Sequence, residues 1–122
     1  MAPFDIKDRT FTFALETLRC CKRIKEQEKE YVLTGQLARS GTSVGANKRE
    51  ARNAESKADF IHKLSISQKE CDESLYWLEL MTDFVRCEQE SLLKLRSECS
   101  ELLKIIRTII MRTKENSNWK KR

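Results

Sequence analysis

The strongest constraint on the fold is an apolar repeat in the middle of the chain. Ile61, Leu64, Gln68, Cys71, Leu75, Leu78, Thr82 and Val85 recur at alternating steps of three and four, along one face of a helix. Phe60, Trp77, Met81 and Phe84 add a second strip, so this helix must meet neighbours on two sides. Leu92, Leu95, Cys99, Leu102, Ile106 and Ile109 repeat the spacing, with Leu93, Leu103, Ile105 and Ile110 beside them. An apolar surface this wide exceeds what one bundle core needs, and the surplus predicts an interface.

Upstream lies a different kind of helix. In TGQLARSGTSVGANKRE, residues 34–50, the face formed by Leu33, Leu37, Ser40, Val44, Asn47 and Ala51 has two polar members, with Gly41 and Gly45 directly beside it. A glycine inside a helix costs roughly 1 kcal/mol relative to alanine. Two of them four apart predict close approach of a neighbouring backbone or side chain. The first helix offers Ile6, Thr10, Phe13, Thr17, Cys20 and Ile24 as its buried face, widened by Ala14, Leu18 and Cys21.

Caps and breaks set the boundaries. Asp5 or Thr10 can start the first helix, and the polar run KEQEKE ends it. Ser56, with Asp59 three residues on, has the form of a capping box, and Ser91 opens the last helix. Helices over 6–26, 31–53, 56–86 and 91–114 follow. With short turns between them they make an all-α, antiparallel up-down-up-down four-helix bundle, one domain over residues 1–115. Residues 116–122 lose the periodicity and should fray as a basic tail.

If the second and third helices reverse near residues 54–56, Arg39 lies near Glu70 and Glu73, Ser43 near Ser67, and Asn47 near Lys63. That line predicts a partly buried polar network between helices. A reversal near residue 29 sets Phe13 opposite Gly45 and Thr17 opposite Gly41, with a phenyl ring over a glycine.

Several chemistries are disfavoured. The five cysteines (Cys20, Cys21, Cys71, Cys87 and Cys99) are odd in number and contain no CxxC, which suits a reduced compartment and packing rather than metal or redox work. No apolar run approaches the ~20 residues of a membrane span. The N-terminus lacks a signal-peptide layout, so a cytoplasmic location with no membrane association is expected. Gly41 to Gly45 matches G-x-S-x-G, but that motif needs a strand-to-helix turn and a histidine from a later loop. Here the stretch reads as helix, and His62, the one histidine, falls on the following helix. No zinc spacing and no Glu-x-x-His pair occurs. The expectation is a non-enzyme with no cofactor and no metal.

The basic residues remain. Between Arg107 and Arg122 six cations face Glu115 alone, so the whole net charge of +5 sits there. Candidate phosphate contacts are Lys22, Lys25 and Lys29 on the first helix and Lys48, Arg49 and Arg52 on the second. Arg107, Arg112, Lys114, Lys120, Lys121 and Arg122 follow at the C-terminus. Trp119 is placed to stack on a base. The plain alternative is a solvated helical face, balanced by Glu26, Glu28, Glu50 and Glu55.

QLARSGTSVGANKREA followed by DFIHKLSISQKECDESLYWLELM resembles the four-helix-bundle proteins encoded in intervening sequences of large-subunit ribosomal RNA genes. That family is taken to include the accessory variability determinant of diversity-generating retroelements. The likeness is dense from Leu37 to Met81 and extends by pattern across residues 5–112. It implies a bundle that assembles with copies of itself into a ring, commonly a pentamer. The retroelement member binds nucleic acid and partners a reverse transcriptase. Motif positions carried over would be Arg39, Ser43, Asn47 and Glu50 on the second helix and Asp59, Lys63, Glu70 and Glu73 on the third. The expected function is therefore a homo-oligomeric bundle that binds RNA or DNA, with a protein-interaction adaptor as the alternative.

Overall fold

The first three helices begin where a side chain takes up amides that the helix leaves open. The computed structural model describes residues 5–119. α1 (Ile6–Glu28) starts from Asp5, whose carboxylate accepts the Lys7 amide at 3.1 Å. It runs past the expected stop at 26 and ends on Lys29, left-handed at φ 58°, whose N–H reaches the Lys25 carbonyl. α2 (Val32–Ala51) has no cap on Tyr31; the Glu30 carboxylate accepts the amides of Leu33 at 2.8 Å and Thr34 at 3.0 Å instead. The last acid of the polar run thus starts the next helix.

α3 (Lys57–Phe84) opens on Ser56, which accepts the Asp59 amide at 3.0 Å, while the Asp59 carboxylate accepts the Glu55 amide at 3.2 Å. α4 (Gln89–Glu115) begins ahead of the expected Ser91, from Glu88 held left-handed at φ 59°. The Glu88 carboxylate is turned to Arg23 and Gln27 of α1, so it ties α1 to this turn instead of capping α4.

α1 packs on α2 and α4, and α3 packs on α2 and α4, so α1 and α3 stand diagonally in a bundle of four helices. Paired residues move in opposite senses along neighbours. Ser40 meets Ser74 and Val44 meets Ser67, Thr17 meets Gly41 and Thr10 meets Gly45, Arg9 meets Glu98 and Arg23 meets Glu88. Phe13, Ile24, Leu37, Val44, Leu64, Leu78, Met81, Leu92, Leu102 and Ile106 fill the core, each contributing about 1.5–3 kcal/mol by leaving water.

The packing corrects four expectations. On α3 the fully buried line is Phe60, Leu64, Ser67, Cys71, Ser74, Leu78 and Met81. Ile61, Gln68, Leu75 and Thr82 fall at its half-buried edge, because the serines let α2 come closer on that side. Leu18, expected inside, is 44% exposed. Gly45 is covered by Thr10 and not by Phe13: a Cβ there would stand 3.2 Å from the Thr10 Cβ. Trp119 is no fraying residue, since its ring packs on Phe60 with centroids 5.7 Å apart.

Cys71 and Cys99 meet at the α3–α4 seam with sulfurs 3.8 Å apart, each near the other's carbonyl. The neighbouring Cys71 thiol and burial hold the Cys99 thiol well above the ordinary cysteine range. Burial pushes the Cys20 thiol up to about 11 and that of Cys21 up to about 12. These three thiols stay protonated near neutral pH and pack as small apolar groups. No helix among the described residues is long and apolar enough to cross a membrane.

Candidate nucleic-acid interface

The close approach of α1 and α2 creates a trough above it. Thr10 seated on Gly45 brings the backbones together, and Ala14 and Ala46 carry too little side chain to fill the space outside that contact. The resulting groove holds about 490 Å³. Its sides are cationic: Lys7 from α1 lines it with Lys48 and Arg49 from the last turn of α2 and Arg52 at that helix's C-cap. Glu50 lines the same groove. None of the four cations forms an ion pair within 4.0 Å among the described residues, in contrast to Arg9, Arg19, Arg23 and Arg39.

Lys48 records the local field. It is half-buried, and burial lowers its pKa; Asp5 opposes the shift, while Arg52 and Lys7 add to it. Desolvated beside like charges, its ammonium gains from any anion that enters.

The remaining candidates lie elsewhere. Lys22 and Lys25 lie in the last turns of α1 and Lys29 is its C-cap, at the opposite end of that helix from Lys7. Arg107, Arg112 and Lys114 are exposed on the C-terminal half of α4. The Lys114 and Asn116 carbonyls accept hydrogen bonds from the Lys57 ammonium at 3.2 and 2.8 Å, which closes α4 against the start of α3. Lys120, Lys121 and Arg122 lie outside the described residues. Trp119, expected to stack on a base, is engaged by Phe60.

The inter-helix polar line is only partly assembled. Arg39 pairs with Glu70 at 2.9 Å and with Glu73, whose carboxylate also accepts the Trp77 indole N–H at 3.2 Å. Ser43 and Asn47 turn back into α2 instead, donating to the carbonyls of Arg39 at 2.7 Å and Ser43 at 2.8 Å. Neither hydrogen-bonds to Ser67 or Lys63, and no side-chain hydrogen bond of Glu50 or Lys63 occurs, among the described residues. The buried polar contacts come from serines. Ser67 donates to the Val44 carbonyl at 2.6 Å, and the Ser74 hydroxyl lies 2.8 Å from that of Ser40. The signal for them was their place on the α3 core line, which apolar residues alone do not trace. The Gly41–Gly45 stretch is helical and His62 is exposed on α3, so no strand-to-helix turn presents Ser43.

A second surface is apolar. Tyr76, Leu80 and Phe84 follow one another at steps of four along α3, 57%, 38% and 68% exposed, with exposed Leu93 on α4. Leu15 and Leu18 are exposed on α1, the diagonal helix. Phe84 was expected within an apolar strip, and it is the most solvent-facing member of it.

The model of a family described as 23S rRNA-intervening sequence protein matches residues 3–108. A crystal structure of a protein of unknown function from the S23 ribosomal protein family of Bacteroides thetaiotaomicron superposes with a TM-score of 0.83 at 40% identity, covering 87% of this chain and 98% of that one. No curated protein matches the chain.

Proposed function

The chain belongs to the family of 23S rRNA-intervening sequence proteins, and from that premise we propose a non-enzymatic, homo-oligomeric bundle of the cytoplasm that holds RNA or DNA by its phosphates. One observation carries the nucleic-acid reading: Lys7, Lys48, Arg49 and Arg52 converge on one groove without an ion-pair partner among the described residues. Their convergence distinguishes them: Lys22, Lys25, Lys29, Arg107 and Arg112 are also unpaired among the described residues but line no common groove with them. The exposed lysines, arginines and tail of the C-terminal half add a non-specific attraction.

Self-assembly has its own support. The α3 strip of Tyr76, Leu80 and Phe84 and the Leu15–Leu18 edge of α1 belong to diagonal helices. Two different patches on opposite sides favour a head-to-tail contact, which closes into a ring when the rotation allows. Five copies is the number the family resemblance implies.

Retention of a structured RNA on a filter at low and moderate salt tests the first part. Binding should fall steeply as salt rises, because phosphate contacts release counterions; absence of retention at low salt removes the claim. Light scattering tests the second, and a monomer would remove it. The same apolar strip supports a second reading, an adaptor that docks a protein such as a reverse transcriptase and binds no nucleic acid. Loss of that docking in a Leu80→Glu, Phe84→Glu variant, with no RNA retained by either protein, would favour it.

A further inference from the structure

The same groove has a feature that phosphate binding does not use. Phe11 of α1 lines it together with Lys7, Lys48, Arg49 and Arg52 and is 62% exposed, although its neighbours Thr10 and Phe13 are buried. It lines the groove together with Ala14, Gly45 and Ala46, residues too small to cover a ring. Its ring stacks on no other aromatic among the described residues; the two aromatic pairs are Phe60–Trp119 and Tyr76–Trp77. An aromatic of this size left in water forgoes about 2 kcal/mol of burial, and here it shares its groove with four cations.

We propose that the groove takes a single-stranded nucleic-acid segment, with one unpaired base stacked on Phe11 and its flanking phosphates held by Lys48 and Arg52. This deepens the phosphate-binding reading and rests on it. The argument is one of complementarity. Cations alone fit any polyanion, but an exposed ring among them fits a polyanion that also presents a flat apolar face. In a duplex those faces are already stacked on one another, so a duplex offers the groove phosphates and nothing for Phe11. An unpaired base offers both, and stacking of this kind is tolerant of sequence because every base has such a face. The guanidinium group of Arg49 can close over the other side of the base.

Fluorescence anisotropy with a labelled oligouridine of about ten nucleotides and with a blunt-ended RNA duplex, at one fixed low salt concentration, tests the proposal. Phe11→Ala should weaken oligouridine binding about tenfold and leave duplex binding unchanged, while Phe11→Trp retains both. The paired reversal Lys48→Glu, Arg52→Glu should weaken both ligands. If Phe11→Ala leaves oligouridine binding intact, or weakens the two RNAs equally, the stacking role is overturned and the phosphate reading stands. If the charge reversal affects neither RNA, the phosphate reading itself falls. A change in oligomer mass on Phe11→Ala would assign the ring to a contact between copies and likewise overturn the proposal. Phe11→Gln, which keeps the bulk without the aromatic face, serves as the second variant if the alanine form melts early.

Discussion

The Cγ2 methyl of Thr17 stands 3.1 Å from the position a Cβ on Gly41 would occupy. That contact fixes how near α1 comes to α2, and it opposes two effects of a substitution. Gly41→Ala gains about 1 kcal/mol of helix propensity but forces the threonine methyl or the helix to move, an overpacking that costs about 1–3 kcal/mol. The balance predicts a net loss of about 1 kcal/mol, read from urea or thermal melts. Gly35 supplies the control: nothing lies within 4 Å of its Cβ position, so Gly35→Ala should be neutral or stabilising. Adding Thr17→Ser to Gly41→Ala removes the colliding methyl and should restore stability. A Gly41→Ala variant more stable than wild type would show that the contact does not set the spacing.

Thr17 carries a second consequence. Its hydroxyl is buried without a hydrogen-bond partner among the described residues, whereas the Ser67 hydroxyl is satisfied by the Val44 carbonyl at 2.6 Å. Burial of an unsatisfied hydroxyl is unfavourable, and an apolar group of the same shape relieves it. Thr17→Val should therefore raise stability by about 1 kcal/mol, with the melting temperature up by about 4 °C. Ser67→Ala should change it by about 1 kcal/mol in the other direction. Equal signs for the two would show that hydrogen-bond satisfaction is not what distinguishes them.

The Arg39 bridge between α2 and α3 predicts a pH dependence. Hydrogen bonding to Arg39, with the Trp77 indole as a lesser donor, holds the Glu73 carboxyl below the usual carboxylate range. A carboxyl with a depressed folded-state pKa stabilises the fold above its unfolded pKa, near 4.3. That stability is lost as pH falls through the lower folded value. Arg39 is half-exposed, so solvent screening keeps the effect modest. Arg39→Ala should lower the melting temperature by about 2 °C at pH 7, and the gap to wild type should close toward pH 2. A gap that persists unchanged in acid would place the effect in packing of the arginine stem and not in the ion pair.

How much of this the sequence carried depends on the side chain doing the packing. The α4 core, Leu92 through Ile106, is legible because leucine and isoleucine mark their own face. On α3 the apolar residues alone trace a line through Ile61, Gln68, Leu75 and Thr82, one position off the buried one. The true line runs through Ser67 and Ser74, which look like surface residues until α2 is placed against them. The Arg39–Glu70–Glu73 contact follows from helix register alone. The partners of Ser43 and Asn47 do not, since a short side chain in a helix can satisfy itself on its own backbone. The cationic groove was half visible: Lys48, Arg49 and Arg52 are adjacent in sequence. Lys7 and Phe11 join them only because Thr10 docks on Gly45, three residues, or nearly one helical turn, from the expected Phe13.

The position of the cations gives the last prediction, which separates a shaped site from a diffuse field. Lys22, Lys25 and Lys29 carry the same formal charge as Lys48, Arg49 and Arg52, but they lie at the other end of α1 from the groove. If net charge alone draws nucleic acid, reversing either trio to glutamate should weaken RNA binding equally. If the groove makes the contacts, the α2 trio should weaken it far more. The slope of log affinity against log salt should then flatten by about 0.7–0.9 for each phosphate contact removed, while the α1 trio should leave that slope nearly unchanged. Filter binding at four or more salt concentrations, with oligomer mass checked by light scattering for each variant, reads both quantities. Equal slopes for the two trios would dissolve the groove into general electrostatics, and a flat salt dependence in the wild type would remove phosphate binding from the description of this surface.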